Sequence, residues 1–255
     1  MNDVIVTLLV VCPLVFLAGL IDAVAGGGGL ISLPAYLAAG LPPHLATGTN
    51  KCSSTFGTLF STLRFMKNKK ICYYSAITSA ATALIGSYLG ARLNMIVDEK
   101  YLRYMLVIAL PIIAIFLIFK KDFGEESHIK EQKPLKVVVL SILSGLLIGA
   151  YDGFFGPGTG TFLILVYTGI IGFDLITASG NAKIVNLASN VAAFITFALS
   201  GKIIWTIGLP AALFGILGNW IGSGLALKGG QKVIKPMFFV TLGLLMCKII
   251  YDFLF

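Results

Sequence analysis

The sequence predicts an all-α polytopic membrane protein made of two inverted-topology repeats, each with a short, broken helix after a Gly-rich loop. Three observations point there. Long apolar stretches recur from end to end, among them Val4–Ile21, Tyr73–Leu93, Met105–Phe119 and Val137–Ala150. About 20 apolar residues cover a hydrocarbon core roughly 30 Å thick. Of the 255 residues, 57% are hydrophobic and only 12% charged, with a mean hydropathy of +0.94; soluble domains carry about 25% charged residues. Finally, a motif from the first apolar segment returns in mid-chain. The apolar/polar alternation of β-barrel strands is absent.

"GLIDAVAGGGGLISL" from Gly19 matches "GAYDGFFGPGTGTFLIL" from Gly149. Asp22 pairs with Asp152 and Gly26 with Gly156, at an offset of 130. The offset then becomes 132 and holds: Gly48 and Lys51 match Gly180 and Lys183, Lys70-Ile71 matches Lys202-Ile203, and Gly86, Tyr88, Gly90 and Leu93 match Gly218, Trp220, Gly222 and Leu225. Lys100 and Arg103 match Lys232 and Lys235. This recurrence also excludes a signal peptide ending at Ala23-Val24-Ala25, because the same segment stands where no leader can.

In chain order, each repeat opens with an apolar helix (Val4–Ile21; Lys136–Tyr151), followed by the Asp/Gly loop (Asp22–Gly29; Asp152–Gly160). A short apolar segment comes next (Leu30–Leu41; Thr161–Phe173). At 1.5 Å per residue it falls well short of a bilayer core, so it is either a steeply tilted span or half of a re-entrant hairpin. Three longer helices complete each repeat, near Leu45–Met66, Tyr73–Leu93 and Lys100–Phe119, and near Leu175–Leu199, Ile203–Leu227 and Lys232–Phe253. Repeat 1 spans residues 1–119 and repeat 2 residues 135–255; the polar stretch 120–134 is a cytoplasmic linker within one integral membrane domain.

Either reading of the short segment gives an odd number of crossings, which turns the second repeat upside down. The positive-inside rule agrees. With the N-terminus outside, Arg64, Lys67, Lys69, Lys70, Lys120, Lys121, Lys130, Lys133, Lys136, Lys228, Lys232 and Lys235 face the cytoplasm, and only Arg92, Lys100, Arg103, Lys202 and Lys248 lie outside. The formal charge of +8 therefore sets topology and touches anionic headgroups; no soluble basic face remains for nucleic acid. Cys12, Cys52, Cys72 and Cys247 lack metal-ligand spacing and read as small hydrophobes. With His44 and His128 the only histidines, no histidine-based metal site or catalytic triad is expected, and no cofactor.

Inverted repeats with interrupted helices place a transporter's substrate near the bilayer midplane. Gly26, Gly27, Gly28 and Gly29, with Gly156 and Gly158, let backbone amides at a helix start approach an anion. "ATGTNKCSS" (Ala46–Ser54) and its partner "ASGNAKIVN" (Ala178–Asn186) add a polar stripe to each half. Thr47, Lys51, Ser54 and Thr58 fall on one helical face, as do Ser179, Lys183, Asn186 and Asn190; Thr49, Asn50 and Asn181 stand beside them. A lysine within a span costs about 2.5–3.5 kcal/mol on insertion scales. Its polar companions argue for a site over simple snorkelling. Asp22 and Asp152 can cap the following helices, pair with the lysines or take up a proton.

The motif D-x-x-x-G-G-G-G followed by G-T-N-K, with its diverged copy ending "ASGNAK", resembles the TauE/SafE family of bacterial membrane permeases over nearly the whole chain. The resemblance implies transport of sulfur-containing anions such as sulfite or sulfoacetate. The second copy departs from the motif, with "GPGTG" for the glycine run and "GNAK" for "GTNK". The expected function is secondary transport of small anions across the cytoplasmic membrane, coupled to protons through the aspartates. The alternatives are a cation or metal-ion transporter using carbonyls and aspartates, and a non-transport membrane enzyme or scaffold subunit.

Overall fold

The computed structural model describes residues 2–98, 100–101, 134–234 and 236–237. These residues are 86% helical and contain no strand. Among the described residues the fold is carried by eight helices: α1 (Asn2–Ala25), α2 (Gly29–Ala38), α3 (Pro43–Lys67), α4 (Tyr73–Ile96), α5 (Pro134–Phe154), α6 (Thr159–Val166, continued by a π-turn at Tyr167–Ile171), α7 (Leu175–Leu199) and α8 (Trp205–Gly229). The expected helices at 100–119 and 232–253 and the linker 120–134 lie almost wholly outside the described residues.

Among the described residues four helices, α1, α5, α7 and α8, are long and apolar enough to cross a membrane. Helices α3 and α4 match them in length, at 25 and 24 residues, but are less apolar. The reason in α3 is an inside-out distribution. Its Thr49, Asn50, Lys51, Ser53, Thr58 and Ser61 are buried, while Leu59, Leu63 and Met66 are exposed. Elsewhere the exposed surface is greasy, with Leu9 71% and Leu147 66% exposed. That is a lipid-facing exterior around a polar interior.

The helix breaks come later than the sequence suggested. α1 runs through Asp22 to Ala25, because the Gly26 N–H bonds the Asp22 carbonyl at 2.8 Å and continues the helical ladder. Asp152 likewise sits inside α5. The break begins at Gly26, with φ +78°, and in the second half at Gly156, with φ +96°. Only glycine adopts that region cheaply. The chain then doubles back. Gly28 lies against the Ala18 carbonyl and the Asp22 side chain, which a continued helix would leave far behind. Leu33 and Tyr36 of α2 join a cluster with Val11, Cys12 and Val15 of α1. So α2 returns along α1 toward the side from which it came, as a re-entrant hairpin does.

Contacts between the halves are reciprocal at the sequence offset. The Ile204 N–H bonds Thr49 Oγ1 at 3.1 Å and the Cys72 N–H bonds Asn181 Oδ1 at 2.8 Å. Gly48 leaves no room for a Cβ beside the Lys202 carbonyl, nor Gly180 beside the Lys70 carbonyl. Gly86 and Gly90 press on Leu146 and Ala150, and Gly218 and Gly222 press on Phe16 and Leu20. Such small-residue seams let helices approach closely in lipid. Left-handed backbone recurs at the same offset, at Gly40 and Gly172 and at Lys69 and Gly201. The registers fix direction. α4 runs with α5, and α1 with α8. α3 opposes α7, since Lys51 meets Asn190 while Thr62 meets Lys183. The Thr49–Ile204 and Cys72–Asn181 bonds, with Arg64 on the Trp220 carbonyl and Ser87 on the Ser189 carbonyl, align α3 with α8 and α4 with α7.

Candidate functional site

Both helix breaks meet in the interior. The Thr161 N–H donates to the Gly26 carbonyl at 3.2 Å, and Thr161 Oγ1 to the Ala25 carbonyl at 2.9 Å. Gly26 and Gly160 are in backbone contact and Gly29 abuts Pro157. One amide near the start of α6 is thus engaged by the opposite half.

Two ion pairs cross between the halves. Lys51 Nζ, from α3, lies 2.7 Å from Asp152 Oδ2 of α5; the side chains are 2% and 3% exposed. Lys183 Nζ, from α7, lies 2.9 Å from Asp22 Oδ2 of α1, with exposures of 0% and 14%, and also donates to the Asp22 carbonyl. Further polar groups complete the first pair. Lys51 Nζ donates to Asn190 Oδ1 at 3.0 Å, Ser189 Oγ to Asp152 Oδ2 at 2.6 Å, and Asn190 Nδ2 to Asn186 Oδ1 at 3.2 Å. Buried charges are tolerated only when paired and hydrogen-bonded in this way. Pairing, not snorkelling, is the state of both lysines. Neither aspartate side chain caps α2 or α6 in the ordinary sense, although the Gly28 N–H reaches Asp22 Oδ1 at 3.4 Å.

A narrow polar cleft opens beside the first pair. Of the residues singled out from the sequence, Asp22, Gly26, Gly28, Gly29, Asn50, Lys51, Ser54, Thr58, Asp152, Gly156, Asn186 and Asn190 line it. Gly27, Thr47, Thr49, Gly158, Ser179, Asn181 and Lys183 do not. Thr47 and Ser179 turn their hydroxyls back onto the carbonyls of Pro43 and Leu175. Thr49 and Asn181 hold the extended segments that lead into α8 and α4. Lys183 is occupied by Asp22. Sequence reasoning missed Ser32, Ser53, Thr159 and Asn219 on the cleft wall, and Ser189 behind Asp152. Asn219 carried a readable signal, as a lone amide inside the apolar run "FGILGNWIG".

A bundle with a lipid-facing apolar exterior and a charged, cleft-bearing interior defines a multi-pass membrane protein of the transporter class. A family model described as "Sulfite exporter TauE/SafE" matches residues 11–249, and the chain belongs to that family. It is 36% identical over 236 residues (92% of this chain, 87% of the relative) to "Probable membrane transporter protein YfcA" of Escherichia coli. It is 34% identical over 237 residues, covering 93% and 92% of the two chains, to a "Probable membrane transporter protein" of Haemophilus influenzae. A Bacillus subtilis relative, "Probable membrane transporter protein YdhB", is 21% identical over 217 residues, 85% of this chain and 89% of its own. No solved structure matches the chain. The family and these relatives make the protein a membrane transporter.

Proposed function

We propose that the protein is a secondary transporter of small sulfur-containing anions of the sulfite or sulfonate type, working across the cytoplasmic membrane with its N-terminus outside. The observation that carries this reading is the crossed pair of buried Lys–Asp bonds beside the cleft. An anion entering the cleft meets Lys51 and a glycine-rich break, both suited to negative charge. Two lysines already balanced by two carboxylates leave no net charge for it. Protonating Asp152 releases Lys51 and restores balance, so one proton accompanies one anion. The family description, which names sulfite export, supports the sulfur-containing class.

The same reading makes the halves an inverted pair. Its support is directional: α1, α3 and α8 run one way and α4, α5 and α7 the other, so each helix opposes its sequence equivalent (α1 and α5, α3 and α7, α4 and α8). Such pairs can rock about a site near the midplane.

The test is flux in proteoliposomes with an imposed proton gradient, over a panel of sulfite, thiosulfate and sulfoacetate. Gradient-driven flux of at least one is expected, together with thermal stabilisation by it and none by divalent cations. Asp22→Asn and Asp152→Asn are expected to fold and to lose the gradient-driven component. Stabilisation by divalent cations alone, or unchanged coupling in both variants, overturns the proposal.

A further inference from the structure

One wall of the cleft carries a hydrogen-bond acceptor with nothing to accept. Asn219 of α8 is 3% exposed. Its Nδ2 donates to the Gly215 carbonyl at 3.0 Å, and its Oδ1 is buried without a partner among the described residues. Buried polar atoms nearly always have partners, so an orphan at a ligand cleft calls for an explanation. The equivalent position in the first half is Ser87, whose hydroxyl donates to the Ser189 carbonyl at 2.5 Å. The orphan acceptor of Asn219 therefore has no counterpart at the matching position of the first half. Among the described residues Asn181 Nδ2 is the other buried side-chain atom without a partner, but that residue lies off the cleft and braces Cys72 through its Oδ1.

The neighbourhood of Asn219 is rich in acceptors. Its Nδ2 lies where a Cβ on Gly19 would come within 2.9 Å, so it sits at the α1–α8 seam. Asp22 is one turn further along α1 and lines the same cleft. Among the described residues its Oδ1 holds only the long 3.4 Å contact with the Gly28 N–H. The donor lies elsewhere on the wall. Lys51 has three N–H groups, two of them directed at Asp152 and Asn190. The cleft thus offers a cationic donor in one place and neutral and anionic acceptors in another.

We propose that Asn219 determines specificity, and that the anion this cleft takes carries its own hydrogen-bond donor, a hydroxyl or an ammonium. Lys51 holds the anionic group and Asn219 Oδ1 accepts from the donor, with Asp22 beside it. The proposal rests on the anion reading above. A fully aprotic anion leaves Asn219 unpaired, whereas a donor-bearing one satisfies it. Sites built to bond a substrate hydroxyl discriminate strongly against the analogue that lacks it.

The test uses two isosteric pairs differing by methyl against hydroxyl: propane-1-sulfonate and 2-hydroxyethanesulfonate, and butanoate and 3-hydroxypropanoate. Binding to the purified full chain is measured by titration calorimetry. The hydroxyl member of at least one pair is expected to bind about tenfold or more tightly. Asn219→Ala is expected to abolish that preference, weakening the hydroxyl member by about tenfold or more. If Asn219→Ala does not yield folded protein, Asn219→Ser, with a shorter acceptor, is expected to narrow the preference. Equal binding of methyl and hydroxyl members by the unmodified protein overturns this inference alone. So does a variant that keeps the full preference. No binding of any of the four, with sulfite or thiosulfate still stabilising the protein, also overturns this inference alone; no stabilisation by any of these anions overturns the anion reading, and this inference with it.

Discussion

Asp152→Asn removes one charge from the more deeply buried of the two ion pairs. In the structure Lys51 and Asp152 are 2.7 Å apart and 2% and 3% exposed. The lysine left behind keeps one hydrogen-bond partner, the neutral Asn190 Oδ1 at 3.0 Å, and a weaker through-space attraction to the Asp22 carboxylate. Breaking a buried pair from one side costs about 3–5 kcal/mol, because an uncompensated charge stays in a low dielectric. In a chain of this size 1 kcal/mol moves the melting temperature by about 2–4 °C, so the expected fall is roughly 6–20 °C. The assay is thermal unfolding of detergent-purified protein. Lys51→Met should cost a similar amount by stranding the carboxylate. The double variant Lys51→Met/Asp152→Asn should recover most of the loss, since neutral replacement of a whole buried pair is often harmless. The coupling in that cycle should exceed about 2 kcal/mol. Asp22→Asn should cost less, because Asp22 is 14% exposed and Lys183 keeps the Asp22 main-chain carbonyl. Additive losses in the double variant, or a fall under about 2 °C in Asp152→Asn, would refute the pair as a coupled buried unit.

Gly26→Ala forces a Cβ into left-handed backbone and against Gly160; the expected loss is about 2 kcal/mol or more, read as a lower melting temperature and poor monodispersity, whereas Gly40→Ala, with open space around its Cβ, should cost only the φ strain of about 1 kcal/mol. Thr49→Val strips the acceptor from the Ile204 N–H and should cost about 1–3 kcal/mol, with faster amide exchange at Ile204. Arg64→Lys loses the stacking on Trp220 at 4.6 Å and the bond to its carbonyl at 2.5 Å; a loss near 1 kcal/mol and a shifted tryptophan emission are expected.

Much of this fold is legible in one sequence because membranes allow few solutions. Backbone polar groups must be satisfied within helices, so apolar length and glycine position convert almost directly into elements. The repeat offset then paired Lys51 with Lys183 and Asp22 with Asp152 before any coordinates. The offset could not say which lysine meets which aspartate. Each bond crosses between halves at separations of about 100 residues or more, which no local pattern encodes. The break position was misjudged for a related reason. Asp22 looks like a loop residue by propensity, but Lys183 neutralises it within the helix. Thr47 and Ser179 lie on the polar faces that hold the lysines, yet their hydroxyls serve their own helices, a choice that helical periodicity does not record. Asn219 belongs to the opposite case, where a polar residue in an apolar run was visible but its seam with α1 was not.

The crossed bonds also bear on how the chain enters the membrane. Lys183 follows Asp22 by 161 residues, which at 5–20 residues per second is roughly 8–30 s of synthesis. Throughout that interval the carboxylate lacks its ion-pair partner, and Lys51 similarly waits for Asp152. A lone charge is held where water or headgroups reach it. The end of α1 and the polar face of α3 therefore stay in contact with the aqueous boundary until the second half is made. The buried charges of the first half are thus paired only once α5 and α7 are made, and a ribosome stalled before Lys183 leaves a membrane intermediate with a hydrated, cleavable first half.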